Sequence, residues 1–504
     1  MRRLAVTDGT LELAGSYAME GDSAFRTVIH GDGRHGRLSV DGACALDGAL
    51  TVTKGTGLFV NGTTYDIITA SAMEDAFASV TLPELKPLVR FTLQQLPDRV
   101  RIGPRTLPFV TMASDPVQMA LADYLDRIAP MASGELRDLL ARIQNLDAAP
   151  LDQAYSRLSP APFDLFTQAS YHGAHLTMEA LQRRMSLTRF HAQAEGQASA
   201  AEPILLAMAG SGDVGPLLAA GGVPERQGKN GLWVSGLSQW GDQEADDGFP
   251  GYDFRLHGGT LGFDHTWASN LTLGVSVGLG STHVDLHEGA GDGGIDTHYG
   301  SLYGSWFTAN AYVEGAVSYG RNGYDVDREV IVGADRRTAA SDHDGDVYAA
   351  FLGGGWVFDR GAWAWGPEAA LRYVYLDEEA FRETGAGSAN LTVDDRQTDS
   401  LVAELGLRAA GLFQTSRGRL MPELRAALSY DVGIDDRVIT ASFEGAPNVA
   451  FSTDGQDVEP LGVVVGGGLT WLTEHGFLAE LKYAGEFREK YQSHGVMAQI
   501  RISF

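Results

Sequence analysis

From Gly231 to Phe504 apolar and polar residues alternate almost without interruption, the period of an extended strand with two different faces. The alternation predicts about twelve strands, near 232–240, 253–267, 271–286, 295–308, 311–327, 343–358, 363–381, 394–413, 419–437, 456–472, 477–488 and 495–504. The connections near 268–270, 309–310, 359–362, 414–418 and 473–476 are tight. Those near 241–252, 287–294, 328–342, 382–393 and 438–455 are long and polar. Short and long connections alternate, as a membrane barrel with short turns on one side and long loops on the other requires.

The faces point the same way. Leu271, Leu273, Val275, Val277 and Leu279 share one face of a strand, which then turns polar at Ser281, His283, Asp285 and His287. The apolar part matches the span of a tilted strand across a bilayer. Glu314, Glu368, Arg372, Glu404, Arg408, Glu423, Arg425, Glu480, Lys482 and Arg501 fall on the opposite, inward face. On a lipid face each basic residue would cost about 2–4 kcal/mol. A soluble barrel would bury its apolar face inside, and this pattern is the reverse. The inward charges suit a lumen that holds a helix and stays wet. Pairing across neighbouring strands, worth about 0.2–1 kcal/mol each, is the plainer reading. Trp240, Trp267, Trp306, Tyr319, Trp363 and Trp471 stand where interfacial aromatic girdles belong.

Two other periods precede the barrel. Residues 1–108 read as short strands between Gly-containing turns, marked by Leu38 and Val40, then Leu46, Leu50 and Val52, then Tyr65, Ile67 and Ile68. A β-solenoid stack or a small sandwich fits them. Residues 109–230 turn helical. "DPVQMALADYLDRIAP" and "GELRDLLARIQNL" predict two short helices. Leu165, Ala169, His172, Leu176 and Ala180 share a face of a longer one, and "AMAGSGDVGPLLAAGGVPERQGKN" reads as a connector. Arg183, Arg184 and Arg189 near its end suit either inward carboxylates or a solvated face.

Composition narrows the function. A net charge of −27 excludes a nucleic-acid partner, and 63 glycines favour strands and turns. Cys44 is the only cysteine, so a disulfide framework is excluded. The first fifteen residues, "MRRLAVTDGTLELAG", hold no apolar core of a signal peptide. Gly21-Asp22-Ser23 invites an esterase nucleophile but lies in the solenoid-like stretch without a strand-to-helix elbow. His283, Asp285 and His287 have the spacing of metal ligands and equally that of rim residues. "SDHDGD" at 341–346 resembles part of a calcium loop without its distal Glu and is expected in a solvated loop.

The whole chain resembles the C-terminal part of a type V autotransporter. "GLWVSGLSQWGDQE" and "YDFRLHGGTLGFDHTWASNLTLGVSVGLGSTHVDL" are similar to the first three barrel strands of that family. "YSRLSP" and "LTMEALQRRM" resemble the helical linker that enters the barrel. "GRLSVDGACALDGALTV", "NGTTYDIITA" and "FASV" resemble the last, autochaperone-like rungs of a pertactin-like β-helical passenger. Val496, Ala498, Ile500, Ile502 and the terminal Phe504 resemble the signal read by the barrel-assembly machinery.

The resemblance implies a mainly β fold: a 12-stranded antiparallel transmembrane β-barrel (231–504) after a helical linker (109–230) and a short β-solenoid (1–108). It implies a monomeric barrel in the bacterial outer membrane that exports its own passenger to the cell surface. The partners implied are lipid, lipopolysaccharide and the assembly machinery. No cofactor and no enzymatic activity are implied. The linker has no Asn-Asn pair for a cut inside the barrel. Against the family, a signal peptide and most of a passenger are expected to be missing. An outer-membrane channel or adhesin-like protein with a non-secreted N-terminal domain is the competing reading, and a soluble enzyme the third.

Overall fold

The computed structural model describes residues 3–208, 230–267, 270–360, 362–473 and 477–504, with 190–208 described as helix backbone. The predicted connector after Met208 therefore lies outside the described residues.

The N-terminal part is a three-faced parallel solenoid. Strands Arg3–Val6, Ala24–Ile29, Ala49–Lys54 and Ser79–Thr81 stack along one face. Gly9–Leu13, Gly36–Val40 and Tyr65–Thr69 form the second, and Tyr17–Ala18, Ala43–Leu46 and Ala72–Asp75 the third. Parallel register carries the same pleat upward, so Phe25 meets Leu50 and Leu38 meets Ile68. Their side chains form a continuous inner column with Val52, Cys44 and Tyr65. The hairpin Val89–Leu96 and Arg99–Thr106 then pairs antiparallel with Tyr65–Thr69 and ends the stack.

Three short helices follow: α1 (Pro116–Ile128), α2 (Gly134–Gln144) and α3 (Ala148–Leu158). The Asp115 side chain caps α1 by accepting from the Gln118 N–H, with Pro116 in the first turn. Then α4 (Pro162–Met208) runs on alone.

The barrel has twelve antiparallel strands: β1 (Asn230–Gln243), β2 (Tyr252–Trp267), β3 (Leu271–Leu286), β4 (Gly291–Phe307), β5 (Ala311–Val332), β6 (Asp335–Trp356), β7 (Trp363–Glu378), β8 (Arg396–Gly411), β9 (Gly418–Asp431), β10 (Leu461–Leu472), β11 (Phe477–Arg488) and β12 (Tyr491–Ser503). β12 pairs with β1 from Gly231↔Ser503 to Gln243↔Tyr491, which closes the sheet and leaves no edge.

The long connections depart from the expected solvated loops. Residues 328–342 are mostly strand, because β5 and β6 continue as a hairpin to a turn at Gly333, whose φ of +64° suits glycine. Val330 and Val332 there are buried against the helices, which is why the pairing extends. The stretch 341–346 therefore lies on β6, not in a loop. The predicted loop 287–294 shrinks to one tight turn before β4. The connections after β7 and β9 build a four-stranded sheet outside the barrel, from Phe381–Arg382, Leu391–Val393, Ile439–Phe443 and Phe451–Thr453. Its apolar face buries Leu391, Val393, Ile439 and Phe443 against α1–α3.

Candidate lumen site

The outer wall is apolar. Leu273, Val275, Val277 and Leu279 on β3 are 46–62% exposed, as are similar residues on every other strand. From Leu271 to Leu279 the strand runs about 26 Å, or about 20 Å of height at a ~40° tilt, close to the apolar band of an outer-membrane barrel. Trp267, Trp306, Trp363 and Trp471 stand outward at the tight-turn end, and Trp240 and Tyr319 toward the loop end. His283 and Asp285 are outward rim residues bonded to each other (3.2 Å), and His287 faces Asp253 across 3.5 Å. Among the described residues, no group of three or more His, Cys, Asp or Glu side chains is placed to hold a metal. Ser23 sits at a solenoid turn and donates to the Glu20 carbonyl.

α4 fills the lumen. Residues 163–189 are buried on nearly every side of the helix, not on one stripe. At the loop end Asp164 accepts from Arg437 Nε and the Gln456 N–H, both at 2.9 Å. Thr167 donates to Glu378 (2.9 Å), and His172 stacks between the rings of Phe254 and Tyr491, 5.1 Å from each. Leu176 and Ala180 pack against Leu237, Leu256 and Met497 of the wall.

Toward the tight-turn end the ionic contacts multiply. Arg183 donates to both Glu423 and Glu480, Arg184 Nε to Asp264 (2.7 Å), and Arg189 to Glu314. The Arg189 guanidinium also lies 3.4 Å over the Tyr312 ring. These three arginines are at most 2% exposed, which settles against a solvated face. In the opposite direction the wall donates to the helix. Lys482 reaches Glu179 (2.7 Å), Arg372 reaches Gln182 (2.8 Å) and Arg408 reaches Ser186 (2.8 Å).

The ten inward charges predicted from the sequence all lie inside the barrel and are buried. Seven of them join in one chain of alternating sign: Arg372, Glu404, Arg425, Glu368, Arg408 and Glu423, then Arg183 of the helix, then Glu480. Cross-strand pairing and helix binding are thus one network. Each interior carboxylate in it has a cation, which is the condition for burying charge at all. Arg501 lies apart from this chain, 3.5 Å from Asp264.

Asp264 was missed by sequence reasoning. It alternates with the outward Leu261 and Phe263, so the register carried the signal. It is the centre of a second cluster: Trp233 Nε1 donates to the Tyr303 hydroxyl (2.7 Å), which donates to Asp264 (3.1 Å). Gly262 makes room for the Trp233 indole, since a Cβ there would come within 2.4 Å of it. Glu179, Gln182 and Ser186 were missed too, because inside a filled barrel every face of a helix is a contact face. A cavity of about 120 Å³ remains beside α4, between His175, Glu179, Arg372 and Arg488.

On β12, Ala498, Ile500, Ile502 and Phe504 point outward and are exposed, with Val496 partly so, while Met497, Gln499 and Arg501 point in. The Phe504 N–H donates to the Asn230 carbonyl (3.1 Å), and the Asn230 N–H to the Phe504 carbonyl (3.2 Å), at the end of the closing seam.

The comparisons follow this geometry. Residues 232–484 match the autotransporter beta-domain family. Outer membrane protein A of Rickettsia rickettsii is 25% identical over 311 residues, 58% of this chain and 13% of that protein. Outer membrane protein B of Rickettsia japonica is 23% identical over 218 residues, 40% of this chain and 13% of that protein. The match thus spans about an eighth of these relatives' length. The translocator domain of the autotransporter NalP from Neisseria meningitidis is a similar solved structure, with a TM-score of 0.46 and 17% identity over 62% of this chain and 97% of that one. The beta domain of the Bordetella autotransporter BrkA covers 55% of this chain and all of its own, at 19% identity and a TM-score of 0.40. With half its length matched by the family, an apolar outer wall and a closed twelve-stranded sheet, this chain belongs to the autotransporter beta-domain family of bacterial outer-membrane barrels.

Proposed function

We propose that the chain is the translocator end of a protein that exports its own N-terminal part to the cell surface. In this reading 1–108 is the end of the passenger, 109–230 the linker and 231–504 the translocator. The observation that carries it is the threading. Everything before α4 sits at the loop end of the barrel, while Asn230 and Phe504 close the seam at the opposite end. α4 connects the two sides through the lumen, from Asp164 near the loops to Arg189 beside Glu314 near the turns. At about 1.5 Å per residue that stretch is about 37 Å long, more than the hydrocarbon thickness of an outer membrane. A domain left in the periplasm would place the N-terminal part at the same end as Asn230.

The outward apolar residues of β12, ending in Phe504, are the surface we assign to recognition by the assembly machinery. The lumen charges hold α4 once the passage is complete. Lipid and lipopolysaccharide face the belt and its aromatic rims.

The test is surface labelling. The chain is expressed behind an export signal with an epitope inserted at the exposed solenoid turn by Gly33. Antibody is expected to bind intact cells. Binding only after the outer membrane is opened, with the barrel correctly inserted, would sink the export reading.

A further inference from the structure

The solenoid carries its charge differently from the rest of the chain. Residues 1–108 hold 11 Lys and Arg against 12 Asp and Glu, so the net charge of −27 belongs almost entirely to the linker and barrel. Five of those basic residues gather on one sheet, whose strands lie in the order Val89–Leu96, Arg99–Thr106, Tyr65–Thr69, Gly36–Val40 and Gly9–Leu13. Alternate residues of these strands point away from the solenoid core. They include Arg90 on the first strand, Arg99, Arg101 and Arg105 on the second, and Arg37 on the fourth.

Arg90 stands directly opposite Arg105 in the hairpin, and both are exposed. Among the described residues neither has a carboxylate in ion-pair contact. Like charges so placed, with Cβ atoms about 5 Å apart, weaken a sheet. The other three guanidinium groups are held in place. Arg101 Nε donates to Asp66 (2.7 Å), Arg99 Nη1 to the same carboxylate (3.1 Å) and Arg37 Nη2 to the Thr69 hydroxyl (3.0 Å). Gly103 lies between Arg101 and Arg105. Its backbone is not left-handed, and a Cβ there would meet only Thr92 Oγ1 at 3.6 Å, an ordinary contact. Neither conformation nor crowding requires a glycine, and glycine weakens a strand. What it leaves is a bare strip between two arginines about 14 Å apart along the strand, where a ligand can approach the backbone closely.

The groups between the arginines select the partner. Thr92, Gln94, Thr69 and Ser39 offer hydroxyls and an amide on the same face. Among the described residues this face has no Phe, Tyr or Trp to stack a nucleobase. Its one outward apolar side chain is Leu96 at the hairpin turn, so a protein partner finds no central anchor.

We propose that this face binds an anionic polysaccharide. The polymer runs along Arg99–Thr106 over Gly103, with its acidic groups on the arginines and its hydroxyls on Thr92 and Gln94. Guanidinium forks match sulfate and carboxylate oxygens, and those already held by Asp66 and Thr69 lose little freedom on binding. The binding does not depend on the direction of export.

The experiment is isothermal titration calorimetry of the full chain in detergent with dextran sulfate, at about 0.15 M salt. The chain is expected to bind it and to leave unsulfated dextran unbound. Arg90→Gln/Arg105→Gln is expected to weaken binding about tenfold, and Gly103→Val, which fills the strip, about fivefold. Arg3→Gln/Arg26→Gln, on another face of the solenoid, is expected to stay within about twofold. Thiol protection of the buried Cys44 establishes that each variant keeps its solenoid folded. No binding of dextran sulfate would overturn the proposal, as would equal losses from the two arginine pairs. Unchanged affinity in Gly103→Val would overturn the path along the strand. Tighter binding of single-stranded DNA than of dextran sulfate would overturn the polysaccharide assignment.

Discussion

Arg183 is the sharpest place to test how the lumen holds its helix. The side chain is 2% exposed and is bonded to two carboxylates on different strands. In Arg183→Met, Glu423 keeps Arg408 at 3.5 Å, whereas Glu480 keeps only the Thr470 hydroxyl at 3.3 Å. One buried carboxylate is then left without its cation. Breaking a buried pair from one side costs about 3–5 kcal/mol, against a small gain if both partners become neutral. That cost falls on the state with α4 in the lumen, because water reaches Glu480 once the helix leaves. At 1.4 kcal/mol per factor of ten, the helix-out population rises by a hundredfold to a few thousandfold. Single-channel recording in planar bilayers reads this directly, since a vacated lumen conducts far more than the small cavity beside α4. The double variant Arg183→Met/Glu480→Gln is expected to recover most of the closed state. An open probability for Arg183→Met within twofold of the unsubstituted protein would refute the reasoning, as would a double variant as open as the single one.

Other expectations follow from the same structure. Val275→Lys, in the middle of the outward belt of β3, is expected to lower stability by about 2–4 kcal/mol in urea unfolding from vesicles, while His283→Lys on the rim costs under about 1; equal costs would contradict the placement of the bilayer. Cys44 is fully buried in the solenoid and burial pushes its thiol up to about 11, so a thiol reagent at pH 8 is expected to label it only on unfolding; rapid labelling of the folded protein would contradict the solenoid core. The bond from Arg101 to Asp66, with Arg99 beside it, holds the Asp66 carboxyl below its ordinary value. Its stabilisation is therefore present above about pH 4 and lost as the pH falls through the lowered value. Asp66→Asn is expected to flatten the acid limb of Cys44 protection, and an unchanged limb would assign it elsewhere.

Much of the barrel was legible in the chain because membrane strands obey a strict rule. Lipid outside and charge inside impose a period of two, and one face can be read without knowing any partner. The register of β3 followed from Leu271 to Leu279, and that of β12 from Val496 to Phe504. The solenoid was narrower: its short strands showed, but the parallel stacking of Phe25 on Leu50 is a choice between neighbours far apart in sequence.

What the sequence by itself determined is the set of local faces: which residues of each strand meet lipid, which look inward, and that the connections at one end of the barrel are tight. The tertiary structure decided who meets whom. Arg183 lies nearly three hundred residues from Glu480, and no local rule distinguishes that pair from Arg183 on a solvated helix face. The outer sheet is a similar case. Ile439, Phe443 and Phe451 read as parts of a polar loop until the helices bury them, with Tyr124 of α1 against the two phenylalanines. Alternation is set by the solvent on each side of a strand, and solvent is the same along its whole length. Pairing is set by which surfaces closure of the barrel brings together, and closure exists only when all twelve strands are in place.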